Sequence, residues 1–347
     1  MTSIIDGLAS LTGVRDRDEL DFAFVKLLAS FAGGKTGATR LVQIFTVGED
    51  RRCLLRACLD AGQTKPHRDV AWTEWSAMPN LADFPNRLKA FLQGKDPVVE
   101  TDAGTITTCL PIVGTQGVWA VLEIASDKAI SAKDLATIAA VVQTYQNLQG
   151  LLDYGEKDAL TELLNRKTFD GAFFKATSAK EARANAEAAD RRADQPNGGY
   201  WLAMLDIDHF KRVNDNFGHL IGDEVLLLMA RLMRANFRFH DQLYRFGGEE
   251  FVVLMRCEDA EKARVALERL RTTVQAFAFP QVGTITVSIG YSVLQNNDTP
   301  SGAFGRADKA VYYAKEHGRN QVQSFQELVA TGALVEEVAE EMDIDLF

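Results

Sequence analysis

The chain has 347 residues, a formal net charge of -10 and an apolar fraction of 46%. This length predicts two domains, and the apolar fraction excludes a globally disordered chain. The excess of acidic residues disfavours an extended nucleic-acid partner, because most of the surface would repel a polyanion.

We find no apolar run near the roughly 18 residues that a membrane span needs. The opening segment MTSIIDGLAS also lacks the basic and then apolar order of a signal peptide. We therefore expect a cytoplasmic protein with no membrane partner. The cysteines are scattered without a CxxC pair, which predicts reduced thiols instead of disulfides or a zinc site. They are Cys53, Cys58, Cys109 and Cys257.

The first part of the chain predicts a mixed unit of helix and strands, which we place at residues 1–130. Residues 17–32 have helical apolar spacing. Strand-like segments separated by turn residues follow at LVQIFTV, CLLRACL, TITTCLPIV and VWAVLEIA.

A long helix is predicted next, at residues 131–157. Its apolar positions recur in steps of three and four with one irregular step, and are Leu135, Ile138, Val142, Tyr145, Leu148 and Leu152. Two interpretations fit this pattern: a short dimer seam with a phase shift, or a helix packed on its own domain.

A second domain is predicted at 158–326 and an acidic tail at 327–347. The domain begins with a helix and a polar insertion at about 177–199, and its core has the order β-α-β-β-α-β. The fold class is therefore α/β (α+β) with two domains. The sequence predicts no role for the insertion or for the tail.

Acidic residues follow strand ends in the second domain. Asp206 closes one predicted strand, while Gly247 and Gly248 predict a two-residue hairpin turn that is followed at once by Glu249 and Glu250. If the hairpin lies beside the first strand, one glutamate joins Asp206. Clustered carboxylates repel each other unless a cation lies between them, and Mg²⁺ prefers such oxygen ligands.

Several motifs occur together in one order. They are DALTELLNRKTF, DIDHFKRVNDNFGHLIGDEVL, RFGGEEF, TVSIGYSV and ADKAVYYAKEHGRNQV. In these motifs and their spacing, residues 158–322 resemble the GGDEF family, the bacterial diguanylate cyclases, which condense two GTP into cyclic di-GMP and two pyrophosphates. The run GGEEF is a variant that keeps the acidic side chain.

The resemblance implies roles for individual residues. Asp206, the backbone carbonyl of Ile207 and Glu249 are expected to hold one or two Mg²⁺ or Mn²⁺ ions. Glu250 is expected to act near the attacking 3'-hydroxyl, with a solvated turn residue as the alternative.

The resemblance also implies a GTP site. Asn214 and Asp223 match positions that recognise guanine, although Asp223 also fits a favourable charge in the first turn of a helix. Phe210 and Lys211 match a loop that approaches the phosphates, and Lys315 and Arg319, four residues apart, match a phosphate-contacting pair on one helix face. The remaining positions against the nucleotide are Gly247 and Gly248.

Members of the family have an inhibitory site for the product. Arg238 and Asp241 match its RxxD motif, with Arg269 assisting. RxxD also occurs elsewhere in the chain, so only its position carries information. We expect no base role for His209 or His219, which match loop positions.

The reaction implies a homodimer, because two GTP sites must face each other to form a two-fold symmetric product. The first domain is similar in pattern to a GAF sensor, which implies an unknown small ligand and control through the helix 131–157. His67 with Cys53, Cys58 or Cys109 suggests a haem or metal site, but isolated residues on strands are more often core residues. The alternative function is a catalytically silent GGDEF module that binds GTP or cyclic di-GMP and signals through a partner.

Overall fold

The structure, a computed structural model, describes residues 4–31, 37–69, 73, 75–114, 117–174, 199–295 and 298–335. The chain divides into two compact units, Met1–Gly155 and Glu156–Phe347. Nearly all of the predicted insertion and the end of the predicted tail lie outside the described residues. Within them, each helix is too short or too polar to serve as a membrane span.

The first unit has four α-helices and five strands among its described residues. They are α1 Ile4–Gly13, α2 Arg17–Phe31, β1 Thr39–Val47, β2 Asp50–Leu59, α3 Pro85–Gln93, β3 Val98–Asp102, β4 Thr105–Gly114, β5 Gly117–Ser126 and α4 Ala132–Glu156. The first predicted helix and all four predicted strands are present. The sequence interpretation missed α1, α3 and β3.

The five strands form one antiparallel sheet in the order β2-β1-β5-β4-β3. Alternation along each strand gives the sheet two buried faces. Leu122 packs in a core with Phe24 of α2, whereas its neighbour Val121 packs on the other face with Ala90 of α3.

The face of α4 that was considered as a dimer seam packs inside the first unit. Ile138 and Tyr145 are fully buried, in one cluster with residues of α2 and the sheet. The Tyr145 ring stacks on Phe24 at 4.0 Å between centroids, and its hydroxyl donates to the buried Asp21 carboxylate. Packing on its own domain is therefore the interpretation that the structure supports for this face.

The second unit contains a six-stranded sheet. The elements of this unit are β6 Leu164–Asn165, α5 over 166–174, β7 Gly199–Ile207, α6 Phe210–Phe217, α7 His219–Asn236, β8 Gln242–Gly247, β9 Glu250–Cys257, α8 Ala260–Ala276, β10 Ala278–Phe279, β11 Gly283–Thr284, β12 Val287–Val293, α9 Pro300–Glu316, β13 Val322–Ser324 and α10 Phe325–Ala330. The order of the sheet is β13-β12-β7-β9-β8-β6.

The predicted β-α-β-β-α-β core is present as β7, α7, β8, β9, α8 and β12. Helices α7 and α8 cover one face of the sheet, where Met229 and Leu267 pack with Leu205. Helix α9 covers the other face, and it lies so close to β12 that a Cβ at Gly290 would be 2.2 Å from the Val311 nitrogen.

Two predicted boundaries differ from the structure. The helix expected from residue 159 begins at 166, because the Asp158 carboxylate accepts from the backbone and hydroxyl of Thr161 and holds a turn there. The start of the predicted tail includes most of α10, which Ser324 caps and which buries Leu328.

Candidate active site

The acidic residues of the second unit meet where β7 ends. Asp206 pairs with Glu250 on β9 and with Ser288 on β12. Residues directly opposite in antiparallel strands point to the same face of the sheet, and here that face is the one covered by α9. The Asp206 residue is only 7% exposed.

A lysine from α9 approaches this cluster. Lys315 Nζ lies 2.7 Å from Asp206 Oδ2. Burial raises the pKa of Asp206, the Lys315 ammonium opposes that shift, and the Asp208 carboxylate adds to it. Burial and the charge of Asp206 also raise the pKa of Glu249. The carboxylates are thus close enough to repel each other, and an ammonium group already fills the place of a cation beside one of them.

This arrangement fits a divalent metal ion. The donors are hard oxygens, two carboxylates on separate strand ends, and they carry more negative charge than one lysine neutralises. The side chain of Ile207 is buried in the core, so only its backbone is available to the site.

The hairpin turn lies one residue later than predicted. Its two turn residues are Gly248 and Glu249, and a bulge between Arg245 and Gly247 shifts the register of β8 against β9. Gly247 has φ 151° and Gly248 has φ 51°, both in the region that favours glycine. Phe246 is the bulged residue, and its ring stacks on Phe304 at 5.2 Å. Glu249 therefore lies at the tip of the turn, while Glu250 begins β9.

Asp208, two residues after Asp206, has a structural role. Its carboxylate accepts from the hydroxyls of Thr286 and Ser288, each at 2.7 Å, and from the backbone N–H of Asn320 at 3.1 Å. These bonds tie the end of β7 to β12 and to the segment after α9.

Arg245 is a residue of this site that the sequence interpretation missed. Its guanidinium donates to Asp158 Oδ1 at 3.0 Å and twice to the carbonyl of Gly248, at 3.1 and 3.0 Å. Burial raises the pKa of Asp158, but hydrogen bonds from Thr161 and Arg245 outweigh burial and leave that pKa below its usual value. The motifs DALT and RFGG, which contain Asp158 and Arg245, were recognised in the sequence, but the contact between them was not predicted.

Asn214 of α6 lies against α7 at Gly222, the residue before Asp223. A Cβ at Gly222 would lie 2.0 Å from the Asn214 side-chain oxygen, so a larger residue there would force the Asn214 side chain to move. Asp223 is the fifth residue of α7, which begins at His219. The alternative of a charge in the first helical turn is therefore wrong for Asp223.

Two expectations about the phosphate contacts need correction. Phe210 and Lys211 form the first turn of α6 instead of a loop, and the Phe210 side chain is buried in the core. Helix α9 ends at Glu316, so Lys315 and Arg319 do not share a helix face. Arg319 follows the helix with φ 61°, and its N–H donates to the Ala314 carbonyl.

The residues predicted for an inhibitory site also come together. The Asp241 carboxylate accepts from the Arg238 N–H at 2.9 Å, which closes a turn before β8. The Arg269 guanidinium reaches from α8 to the carbonyl of Asn236, two residues before Arg238. Strand β8 has six residues and spans roughly 20 Å, so this group lies at the opposite end of the strand from the Gly248 turn.

Comparison with known proteins finds a family model that matches this unit. Residues 156–321, nearly half of the chain, match the family model described as "Diguanylate cyclase, GGDEF domain". Diguanylate cyclase DgcP of Pseudomonas aeruginosa is 43% identical over 169 residues, which are 48% of this chain and 23% of that protein. The probable diguanylate cyclase DgcT of Escherichia coli is 32% identical over 218 residues, covering 60% of this chain and 43% of that protein. The chain thus spans less than half the length of these relatives.

Solved structures are similar over the same region. The coiled coil and GGDEF domain of DgcB from Caulobacter crescentus, in complex with c-di-GMP, is 30% identical with a TM-score of 0.46, over 56% of this chain and 97% of that one. The active GGEEF domain of a diguanylate cyclase from Vibrio cholerae is 32% identical with a TM-score of 0.40, over 47% of this chain and 97% of that one. The GGDEF resemblance predicted for the second unit is supported by the family match.

Proposed function

We propose that this protein is a diguanylate cyclase, which condenses two GTP into cyclic di-GMP and two pyrophosphates. The observation that carries the proposal is Asp206 at the end of β7, which lies opposite Glu250, next to the turn that holds Glu249, and 2.7 Å from the Lys315 ammonium. The family match over 156–321 and the relatives named as diguanylate cyclases support the same activity.

GGDEF cyclases use divalent metal ions, and this chain has the donors for one. Asp206, the Ile207 carbonyl and Glu249 would hold Mg²⁺ or Mn²⁺. When bound, such an ion neutralises charge on the phosphates and lowers the pKa of the attacking hydroxyl. Lys315, which lies beside Asp206 in this structure, would then be available to contact a phosphate oxygen of GTP.

The remaining site residues suit GTP. The Asn214 amide offers a donor and an acceptor, and the exposed Asp223 carboxylate accepts from the N1–H and amino group of guanine, which adenine does not present in that pattern. The backbone N–H groups of Phe210 and Lys211 open α6, which has no side-chain cap among the described residues, and would donate to phosphate. Arg319 adds a cation beyond α9, and Glu250 lies beside the nucleophile.

The reaction needs two copies of the chain. Each unit binds one GTP, and each 3'-hydroxyl attacks the α-phosphate of the other GTP, so two sites face each other in an isologous dimer, at least transiently. Product bound at Arg238, Asp241 and Arg269 would inhibit from the far end of β8, by holding two copies apart instead of filling the GTP site. The first unit acts in this scheme as a GAF-like sensor that controls how often two sites meet.

The decisive experiment is incubation of the full chain with GTP and Mg²⁺, followed by chromatography of the products. We expect cyclic di-GMP and pyrophosphate, no cyclic product from ATP, and at least about a hundredfold lower turnover in Glu249→Ala. Glu258→Ala is the matched control, because this exposed glutamate follows the opposite end of β9. GTP binding without any turnover in the wild-type protein would overturn the proposal in favour of the silent module.

A further inference from the structure

A cysteine, an aspartate and a histidine meet at one edge of the first unit's sheet. After β2 the chain turns back at residues 61–62 and returns along the strand. Cys58 and His67 exchange both of their backbone hydrogen bonds, N–H to carbonyl, at 2.8 and 2.9 Å. Directly opposite residues point to the same face, and Asp60, two residues after Cys58, returns to that face. This short hairpin therefore gathers three side chains that each offer a metal ligand.

The distances between these ligand atoms are close to those of a metal site. Cys58 Sγ lies 3.4 Å from Asp60 Oδ1, and His67 Nδ1 lies 3.7 Å from Asp60 Oδ2. All three ligand atoms lie within 4.8 Å of one another. Tetrahedral zinc, with Zn–S of about 2.3 Å and Zn–N of about 2.0 Å, separates its ligands by about 3.3 to 3.8 Å. A small rotation of the half-exposed His67 ring would close the remaining gap.

The surroundings leave one side of the group open to water. Cys58 is 2% exposed, whereas the side chains of Asp60 and His67 are 44% and 54% exposed. A bound ion would thus have the sheet behind it and solvent in front. This matches a site with three protein ligands and a fourth position for water.

The charges also balance. A thiolate and a carboxylate together neutralise a divalent ion, and the imidazole ligand is neutral. Arg40 lies 3.8 Å from Asp60, but its shorter ion pair, 2.7 Å, is with Glu123, which also binds Arg87. Arg40 therefore keeps a partner when Asp60 turns to a metal.

We propose that Cys58, Asp60 and His67 bind a borderline-soft divalent ion, Zn²⁺ above all, in an open three-ligand site. Thiolate and imidazole ligands select Zn²⁺ over the Mg²⁺ that suits the all-oxygen cluster of the second unit. On binding, the S–H bond of Cys58 breaks, its proton passes to solvent and the S–Zn bond forms, with no change of oxidation state. The ion fixes the hairpin to the edge of β2 and is the ligand that the first unit recognises. The sequence alone favours core positions for His67 and the cysteines over a haem or metal site, because the pairing of this hairpin is not visible in it.

Cobalt(II) absorption of the chelator-treated full chain tests the site, because a thiolate ligand adds a charge-transfer band in the near ultraviolet. We expect this band at one equivalent per chain and its loss when Zn²⁺ is added. Glu249→Ala serves as the background, since it weakens the oxygen cluster that also binds cobalt without sulfur.

Variants assign the band to residues. Cys58→Ser should abolish it, and His67→Gln should weaken Zn²⁺ binding by more than about a hundredfold, beyond the 10- to 100-fold typical of outer-shell changes. Cys53→Ser is the matched control, because Cys53 is a buried cysteine of the same strand and the same face. If Cys58→Ser does not fold, the variants His67→Gln and Asp60→Asn test the metal site instead, because both positions are half-exposed. A wild-type chain without the band, or a band that survives in Cys58→Ser or is unchanged in His67→Gln, would overturn the proposal.

Discussion

Replacing Arg245 should have two effects that can be measured separately, one on the position of the turn that carries Glu249 and one on the stability of the second unit. Its side chain is 13% exposed and bridges Asp158, the third residue of the second unit, to the carbonyl of Gly248. Lysine keeps the charge but, as a single point donor on a flexible chain, it cannot reproduce a fork that bonds both partners. We therefore compare Arg245→Lys with Arg245→Ala.

The expected magnitudes follow from exposure. A hydrogen bond to a charged group contributes about 1.5 to 3 kcal/mol when buried, but Asp158 is 25% exposed and water reaches Gly248. We expect Arg245→Ala to lower the free energy of unfolding by about 1 to 2 kcal/mol and Arg245→Lys by less than about 1 kcal/mol. The turn carries Glu249, and a displacement of about 1 Å costs about a hundredfold in rate, so both variants should lose roughly 10- to 100-fold in kcat.

Thermal unfolding and GTP turnover on the same samples measure the two effects. Arg264→Lys is the control, because this exposed arginine of α8 pairs only with Glu261 among the bonds described, and it should change neither quantity. Wild-type kcat in a folded Arg245→Lys would refute the reasoning. A kcat loss in proportion to the unfolded fraction would also refute it, since the bridge would then act on stability alone.

Lys315→Met removes the ammonium that opposes burial, so the pKa of Asp206 should rise further above its usual value, measured by carboxyl NMR titration without divalent ions. Gly290→Val should destabilise the second unit by at least about 1 to 3 kcal/mol in chemical denaturation, because α9 leaves no room for a side chain there. Ile138→Asp should destabilise the first unit by about 3 kcal/mol or more, since the side chain is fully buried. Leu151→Asp, at a position of α4 that is 68% exposed, should change unfolding by less than about 0.5 kcal/mol. Equal effects of these last two variants would contradict the packing of α4.

Regular patterns were predictable from the sequence, and local contacts were not. The strand that carries Asp206 near its end is almost entirely apolar, and its position was predicted correctly. Helix α8 was also predicted correctly, because its apolar residues recur at helical spacing and Asp259 caps its N-terminus. Helix α6 was missed because its eight residues are mostly polar and follow a turn at His209. The bulge that shifts the hairpin turn places Phe246 against Phe304, a contact between distant parts of the chain that spacing cannot reveal.

One error could have been avoided from the sequence. The prediction that Lys315 and Arg319 share a helix face assumed a helix through AKEHGRN. A basic residue in the last turn followed by a glycine, here Lys315 and Gly318, is however a common sign of a helix end. The structure ends α9 at Glu316, before Gly318. The topology predicted that one of the two glutamates lies beside Asp206, and the family resemblance named Glu249. Arg245 was missed because its role depends on a bond to a residue 87 positions away.

The burial of the α4 face that was one candidate for a dimer seam bears on where two copies would meet in the proposed reaction. Ile138 and Tyr145 are committed to the core of the first unit and cannot also face a second chain. The proposed reaction would require only that two GTP sites face each other, and the proposed site includes the Glu249 turn and the N-terminus of α6. The contact would therefore include the substrates themselves, while Leu151 and Tyr154 are exposed positions of α4. Control by a sensor would then act on how often two loaded sites meet, without building or dismantling either site.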